Sequence, residues 1–231
     1  MLVGQRPHVD ADEVGLAGLL VAHLIVGGAI ALLLGIARPP WGDERHIVET
    51  VRMFARQPIW ASLQDYWEVT PPLTYIVFAT WGNIFGLDYS TLRILTLLIA
   101  FGTHAMFAWL LWRLSISRIM VFATLGTMLL NPYTIGLSLF VFTDMPMLCC
   151  LMLLLFGLYS SNTAIMVVAS LCGLLFRQYF IFAVVAVGVV TFARYVSGRK
   201  TEDLLRFVLL TASAIPLLML AILWHGLAPP S

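Results

Sequence analysis

Four polar side chains stand together directly after an apolar segment that is long enough to cross a membrane. The stretch PPWGDERHIVET at 39–50 contains Asp43, Glu44, Arg45 and His46, in a chain of which only 11% of residues are charged. A carboxylate near apolar surroundings can serve as an acid or a base, because such surroundings shift its pKa. The alternative is a solvated loop whose acids stabilise the positive end of a following amphipathic helix, here HIVETVRMFARQ.

A second acidic group interrupts the apolar stretch FVFTDMPML. Thr143 and Asp144, ahead of Met145 and Pro146, are residue types typical of a helix start. A carboxylate within the bilayer costs about 2.5–3.5 kcal/mol at the centre and less at the interface. A capping role and a functional role for Asp144 are therefore compatible.

An arginine separates two apolar runs in LLFRQYFIF. The guanidinium of Arg177 is always charged, so it must find a partner or reach the membrane surface. Its fork of donors suits a phosphate or a carboxylate. Two interpretations stay open: an ion pair with Asp144 or Glu68, and a clamp for a lipid phosphate. Arg93, near the start of another run, offers a choice between an interfacial anchor and a phosphate ligand.

Transmembrane helices are the elements that must position these groups. The chain is 61% hydrophobic and 11% charged, whereas soluble domains are about 45–50% apolar and about 25% charged. This composition predicts an integral membrane protein. A formal net charge of +1 without a basic block argues against nucleic acid as a partner. No sequence motif fits a protein-built zinc site, and Cys149, Cys150 and Cys172 are expected to be apolar core residues.

The apolar runs predict an all-α polytopic membrane protein with about seven transmembrane helices. The segment TPPLTYIVFATWGNIFG at 70–86 is short, begins with two prolines and carries residues comfortable at the headgroup level, so we expect it to lie in the interface. A crossing at 71–86 is the open alternative. The predicted crossings are 14–36, 91–112, 119–142, 144–161, 162–176, 179–194 and 204–225.

Basic loops predict which way the chain crosses the membrane. The positive-inside rule places the loops with Arg113 and Arg118, and with Arg199, Lys200 and Arg206, in the cytoplasm. Residues 1–13 are then a cytoplasmic N-terminus, and 14–231 form one transmembrane domain with an external loop at 37–90 that carries interfacial helices. Loop 37–70, Thr143–Asp144 and Arg177–Gln178 all fall on the outer face. A crossing at 71–86 would reverse the side of loop 37–70 relative to the others.

Five short motifs occur in an order that resembles a known family. They are Asp43–Glu44 with His46, Thr70–Pro71–Pro72, Leu92–Arg93, Thr143–Asp144 and Phe176–Arg177–Gln178. Over about 39–178 the chain resembles the GT-C glycosyltransferases, and it looks closest to the dolichyl-phosphate-glucose alpha-1,2-glucosyltransferases. It departs from that pattern where Val69–Thr70 replaces a Thr-Thr pair and where Tyr179 follows Gln178 in place of Thr-Asn.

The resemblance implies transfer of a hexose, such as glucose, from a polyprenyl-phosphate donor to an acceptor hydroxyl on the non-cytoplasmic face. Asp43 would be the catalytic base, with Glu44 as the second candidate. The predicted ligands of the donor phosphate and sugar are Arg177, Gln178, Asp144, Arg93 and His46. No cofactor is expected, and a divalent metal held by Asp144 is the less favoured option.

The resemblance also implies partners and a location. The expected partners are a polyprenyl-phosphate-linked sugar, a lipid-linked or cell-envelope glycan acceptor, membrane lipid and, as an option, a partner subunit. The expected location is a bacterial inner membrane with the site facing outward, or the endoplasmic reticulum membrane in a eukaryote. The alternative function is a non-catalytic membrane subunit, or a truncated relative that binds lipid-linked sugar or a partner protein.

Overall fold

The computed structural model describes residues 9–114, 117–224 and 226, with side chains from Gly15 onward. Regular structure in these ranges is entirely helical. The helices are α1 (Val9–Leu34), α2 (Glu44–Arg56), α3 (Ile59–Gln64), α4 (Leu73–Phe85), α5 (Tyr89–Arg113), α6 (Arg118–Leu130), α7 (Pro132–Leu139), α8 (Asp144–Ser160), α9 (Thr163–Phe176), α10 (Ile181–Gly198), α11 (Thr201–Ala212) and α12 (Ile215–Leu223), with a 3₁₀ turn at Gln178–Phe180. Most of the predicted cytoplasmic N-terminus, residues 1–8, lies outside the described residues.

Four helical stretches are long and apolar enough to cross a membrane. They are Gly15–Leu34, Tyr89–Arg113, Gln178–Gly198 and Thr201–Leu223. A span needs about 20 residues at 1.5 Å each, and each of the four has at least that number. The shorter apolar helices α4, α8 and α9 have 13, 17 and 14 residues. Length and composition therefore agree with a membrane protein and with four of the predicted crossings.

The predicted crossing at 119–142 consists of two helices that meet at a bend. α6 and α7 meet at Asn131 and bend by 69°. The Asn131 Oδ1 accepts hydrogen bonds from the backbone N–H groups of Tyr133 at 2.9 Å and Thr134 at 3.3 Å. Pro132 follows at the first helical position, where its missing N–H costs nothing. An Asn-Pro start signal thus begins a new helix inside an apolar run.

Helices α8 and α9 form a tight antiparallel hairpin. Ser161 takes the left-handed conformation at φ 56°, and the Asn162 side chain caps α9 by accepting from the Ile165 N–H at 3.1 Å. Gly157 lets the two backbones approach, since a Cβ there would lie 2.9 Å from the backbone nitrogen of Met166. The start of α8 and the end of α9 consequently lie at the same end of the bundle.

The bundle has two chemically different ends. We call the end with Glu44, Arg93, Asp144 and Arg177 the polar end, and the end with Arg206 the basic end. At the basic end the Arg206 Nη2 donates to the backbone oxygen of Ser161 at 3.0 Å, at the turn between α8 and α9. Aromatic contacts place the last turns of α5 and α8 there too: the rings of Trp109 and Tyr159 are 5.8 Å apart.

The chain alternates between these ends. α1 packs near its start against Trp112 and ends beside Arg93 at the polar end. α5 and α8 run from the polar end to the basic end, and α9 returns. α12 comes back to the polar end, where Trp224 stacks on Tyr66 with ring centroids 5.7 Å apart. Cations that the sequence predicted to share one side therefore lie opposite the predicted site residues.

Helices α2 and α4 form a layer at the polar end. Their packed faces bury Val48, Val51, Phe54, Tyr75 and Phe78. Residue 69, just before α4, accepts a hydrogen bond from Gln178, and Trp81 near the end of α4 donates to the backbone oxygen of Thr91 at 3.0 Å. Both ends of α4 thus lie at the polar end, which is the arrangement that an interfacial segment requires.

Candidate functional site at the polar end

The amphipathic pattern of α2 sends the two neighbouring acids to different places. Glu44 shares the buried face of the helix with Ile47, Val48 and Val51, at spacings of three, four and seven residues. Glu44 is 0% exposed. Asp43 precedes the helix and is exposed, so its carboxylate has a different environment from that of its neighbour.

Glu44 forms a closed ion pair with Arg93. The Arg93 Nε donates to Glu44 Oε1 at 2.9 Å, and its Nη2 donates to Oε2 at 2.5 Å. The remaining guanidinium donors reach the backbone oxygens of Ile36 at 2.8 Å, Arg38 at 2.6 Å and Pro39 at 3.3 Å. A guanidinium has five N–H donors, and all five are used here.

The acceptor side of this pair is equally complete. Glu44 Oε1 also accepts from the backbone N–H of Val141 at 3.0 Å, and Oε2 accepts from that of Trp41 at 3.3 Å. The pair thereby ties together the end of α1, the start of α2, the start of α5 and the segment before α8. The structure brings two predicted site residues, Glu44 and Arg93, together, but it buries both and gives their polar atoms to each other and to the backbone.

Asp144 and Arg177 form a second, more open ion pair. The Arg177 Nη2 donates to Asp144 Oδ2 at 2.7 Å, and the two side chains are 24% and 19% exposed. The Tyr179 hydroxyl donates to the other carboxylate oxygen at 2.5 Å. The contact between Arg177 and Asp144 confirms the ion pair that the sequence offered as one interpretation of Arg177. Tyr179 is a site residue that the sequence analysis did not select.

A glycine allows the turn that presents Arg177. α9 ends at Phe176, and Arg177 is extended at φ −150° before the 3₁₀ turn. The ring of Phe180 folds back onto α9 at Gly173, where a Cβ would lie 2.4 Å from a ring carbon. The break at 177–178 between two predicted crossings is therefore stabilised by the close contact of the Phe180 ring with the backbone at Gly173.

Three buried polar atoms at this turn have no hydrogen-bond partner among the described residues. They are Arg177 Nε, Gln178 Oε1 and Thr143 Oγ1. The Gln178 amide nitrogen does donate to the backbone oxygen of Val69 at 3.0 Å. Leaving a buried polar group unpaired costs about 1–3 kcal/mol, and most such groups in native proteins have a partner. Water or a polar ligand would complete these bonds.

A histidine–carboxylate pair lies at the edge of the buried face of α2. The His46 Nε2 is 3.0 Å from Glu68 Oε1, and the Thr50 hydroxyl donates to the same oxygen at 2.6 Å. The His46 ring packs edge-on against Trp67 at 4.2 Å between centroids. The sequence analysis considered Glu68 only as a partner of Arg177. Its position two residues before Thr70–Pro71–Pro72 was the available signal.

A tyrosine network connects the two halves of the site. The Tyr66 hydroxyl donates to the backbone oxygen of Thr70, whose side chain is 2.9 Å from the Tyr75 hydroxyl. Burial raises the pKa of the Tyr66 phenol above its usual value of 10.0. The Tyr75 phenol lies within electrostatic range of both Glu68 and Arg177. The histidine pair and the arginine pair therefore belong to one polar cluster.

Asp43 has no side-chain hydrogen bond within the described part of the chain. It occupies the N-cap position of α2, but its carboxylate does not cap that helix. His46 follows three residues later, so both side chains lie along the same side of the first turn of α2. The structure thus leaves the predicted base accessible and places it beside His46.

The comparisons with known proteins give no family for this chain. No family model matches it, and neither a curated protein nor a solved structure does. In the ranges that the structure describes, no three metal-ligating side chains come together as a site for an ion. The chemistry of the polar end must therefore be inferred from the side chains themselves.

Proposed function

We propose that the protein is a membrane hexosyltransferase that takes its sugar from a polyprenyl-phosphate donor. The observation that carries this proposal is the convergence of Asp144, Arg177 and Gln178 with His46 of α2 and the loop residue Glu68 at one end of the bundle. Those residues come from distant parts of the chain. The Arg177 guanidinium is partly exposed, and polar atoms around it lack partners among the described residues. Such a cation, with acid–base groups beside it, is suited to hold a phosphate next to a reacting hydroxyl.

The proposed topology has seven crossings, with α2, α3 and α4 in the interface on the outer face. Its support is the alternation of the helices between a polar and a basic end, together with both ends of α4 at the polar end. This arrangement resembles the GT-C module. The polar end would face outward, because the basic end carries the positive-inside signal.

In the proposed complex Arg177 binds the donor phosphate. Its pair with Asp144 uses one of its terminal nitrogens, and its buried Nε has no partner among the described residues. Gln178 would add a polar contact, and Asp144 would orient a sugar hydroxyl. Glu44 and Arg93 would act indirectly, by holding the segments around the site in place.

The proposed reaction is a single displacement with inversion. The acceptor oxygen bonds to the anomeric carbon, the bond from that carbon to the phosphate oxygen breaks, and polyprenyl phosphate leaves with the electron pair. The hydroxyl proton passes to a base. Asp43 and His46 both lie within the first turn of α2, and the Asp43 carboxylate would also stabilise positive charge at the anomeric carbon.

A transfer assay tests the proposal. The full chain in nanodiscs would be supplied with radiolabelled polyprenyl-phosphate hexoses and with lipid-linked glycans as acceptors. We expect label to move from one donor to an acceptor, and we expect Asp43→Asn to lower kcat. Glu49→Gln is the matched control, because Glu49 is exposed on the same helix and pairs with Arg45 at 3.3 Å. Donor binding without transfer would instead favour a non-catalytic subunit, and neither binding nor transfer would reject both functions.

A further inference from the structure

His46 has the surroundings of a general base. Its Nε2 faces a Glu68 carboxylate that is only 9% exposed, at 3.0 Å. The Thr50 hydroxyl anchors the same carboxylate oxygen at 2.6 Å, and Trp67 holds the imidazole ring edge-on. The His46 side chain itself is 41% exposed, so a substrate can reach it.

The contact with Glu68 selects the tautomer. An ionised carboxylate only accepts hydrogen bonds, so the nitrogen that faces it must carry the proton. Nε2 is therefore the donor, and Nδ1 is left as the acceptor. Nucleophilic enzymes use the same logic, in which a carboxylate orients an imidazole and stabilises the imidazolium that forms.

We infer that His46 accepts the proton of the acceptor hydroxyl and that Glu68 is its positioning residue. This inference rests on the proposed function and completes the role of Asp43. In the step, the hydroxyl proton moves to His46 Nδ1 while the oxygen bonds to the anomeric carbon and polyprenyl phosphate departs with its electron pair. Asp43 then stabilises the positive charge that develops at the anomeric carbon.

The geometry favours His46 over Asp43 for the proton. Imidazole is the side chain whose unperturbed protonation equilibrium lies nearest to neutral pH, which is where a general base works best. His46 is held by two other residues, whereas the Asp43 carboxylate is held by none in the described ranges. A base with a fixed orientation needs less reorganisation in the transition state.

Three carboxylates lie near His46 in the sequence or in space, and the test must separate their effects. Glu68 comes from the loop before α4, and Asp43 and Glu49 lie three residues to either side on α2. Glu49 pairs with Arg45, so Glu49→Gln reports what a lost carboxylate does by charge alone.

The experiment measures kcat against pH for the full chain in nanodiscs, with the donor dissociation constant measured separately. We expect His46→Gln to lower kcat by about 100-fold or more and to leave donor affinity unchanged. We expect imidazole in the buffer to restore part of the activity of His46→Ala. Glu68→Gln should lower kcat less than His46→Gln does and leave donor affinity unchanged, because the imidazole stays in place but loses the carboxylate that orients it.

The outcomes separate this inference from the proposed function. Full activity of a folded His46→Gln variant would overturn the inference and leave the transferase standing. An acidic limb that vanishes in Asp43→Asn and persists in His46→Gln would also overturn it, in favour of Asp43. Absence of transfer by the unaltered chain would overturn both. A thermal unfolding midpoint that matches that of the unaltered chain shows that each variant is folded.

Discussion

Two arginine–carboxylate pairs lie at the same end of this protein, and they are built in opposite ways. In the pair of Arg93 with Glu44 the side chains are 1% and 0% exposed, and every polar atom has a partner. In the pair of Arg177 with Asp144 a single contact of 2.7 Å joins the two residues, and the Arg177 Nε lacks a partner among the described residues. The first pair is complete, and the second has capacity left for a ligand.

The difference between the two pairs shows how one end of a membrane protein can be held rigidly and still have polar groups available to a ligand. A buried ion pair repays its desolvation only when hydrogen bonds satisfy all its remaining donors and acceptors, and Arg93 with Glu44 meets that condition. This pair ties together four segments around the site. The partly exposed pair contributes less to stability, and in the proposed function it changes partners when a phosphate binds.

The largest expected effect comes from breaking the complete pair. Glu44→Gln removes the charge that balances a buried guanidinium, and we expect it to lower the free energy of unfolding by about 3–5 kcal/mol. Denaturation in mixed micelles measures this change. Glu49→Gln, the same substitution at an exposed position of α2, should cost less than about 1 kcal/mol. Equal effects of Glu44→Gln and Glu49→Gln would show that burial does not determine how much an ion pair of α2 stabilises the protein.

Breaking the open pair should give the reverse result, with loss of binding and little loss of stability. Arg177→Gln would remove the proposed charge-assisted hydrogen bonds to the donor phosphate. A loss of about 1.5–3 kcal/mol corresponds to an increase of about 10- to 150-fold in the dissociation constant. Titration of a polyprenyl-phosphate hexose into nanodiscs measures it. Arg177→Lys should recover only part of the affinity, since it keeps the charge and loses the fork. Unchanged affinity in both variants would remove Arg177 from the donor site.

The sequence predicted the open pair better than the complete one. Arg177 lies between two apolar runs and Asp144 precedes another. Each residue therefore indicates a membrane boundary and a charge that requires a partner. Their contact follows because α8 and α9 are consecutive and antiparallel. Glu44 and Arg93 are far apart in the sequence and meet because α2 packs on α4 and α4 packs on α5, which no local pattern specifies.

Part of the missing information was nevertheless present in α2. Glu44 continues the apolar stripe formed by Ile47, Val48 and Val51, which places it on the buried side, whereas Asp43 and His46 fall beside that stripe. The amphipathic helix itself was predicted correctly. The break at Asn131 was missed because hydropathy alone does not register an Asn-Pro helix start.

A smaller change sharpens the comparison from within the open pair. Tyr179→Phe removes the hydroxyl that holds Asp144 at 2.5 Å. We expect donor affinity to fall by about fivefold, which corresponds to about 1 kcal/mol, the typical net contribution of one hydrogen bond. The same titration measures it. Tyr159→Phe at the basic end is the control, because that hydroxyl has no hydrogen bond within the described residues. Equal effects of the two substitutions would mean that Tyr179 does not position Asp144.

The smallest expected effect concerns a carboxylate that acts alone at the start of α5. Asp88 caps this helix, and its oxygens accept from the Thr91 hydroxyl at 2.7 Å and the Thr91 backbone N–H at 3.0 Å. These bonds lower the pKa of Asp88 below its usual value of 3.8. We expect Asp88→Ala to cost about 1 kcal/mol of unfolding free energy at neutral pH.

The pH dependence of that cost identifies its source. Because folding lowers the pKa of Asp88, its stabilisation is fully present above pH 3.8 and is lost as the pH falls through the folded value. The stability difference between the unaltered chain and Asp88→Ala should therefore shrink in acid, as measured by unfolding in micelles at several pH values. A difference that stays constant with pH would assign the cost to helix propensity. Among the described residues Asp88 accepts hydrogen bonds only from the first turn of its own helix. Its contribution to the free energy of unfolding is therefore that of a local contact, with which the contribution of the Glu44 pair across four segments can be compared.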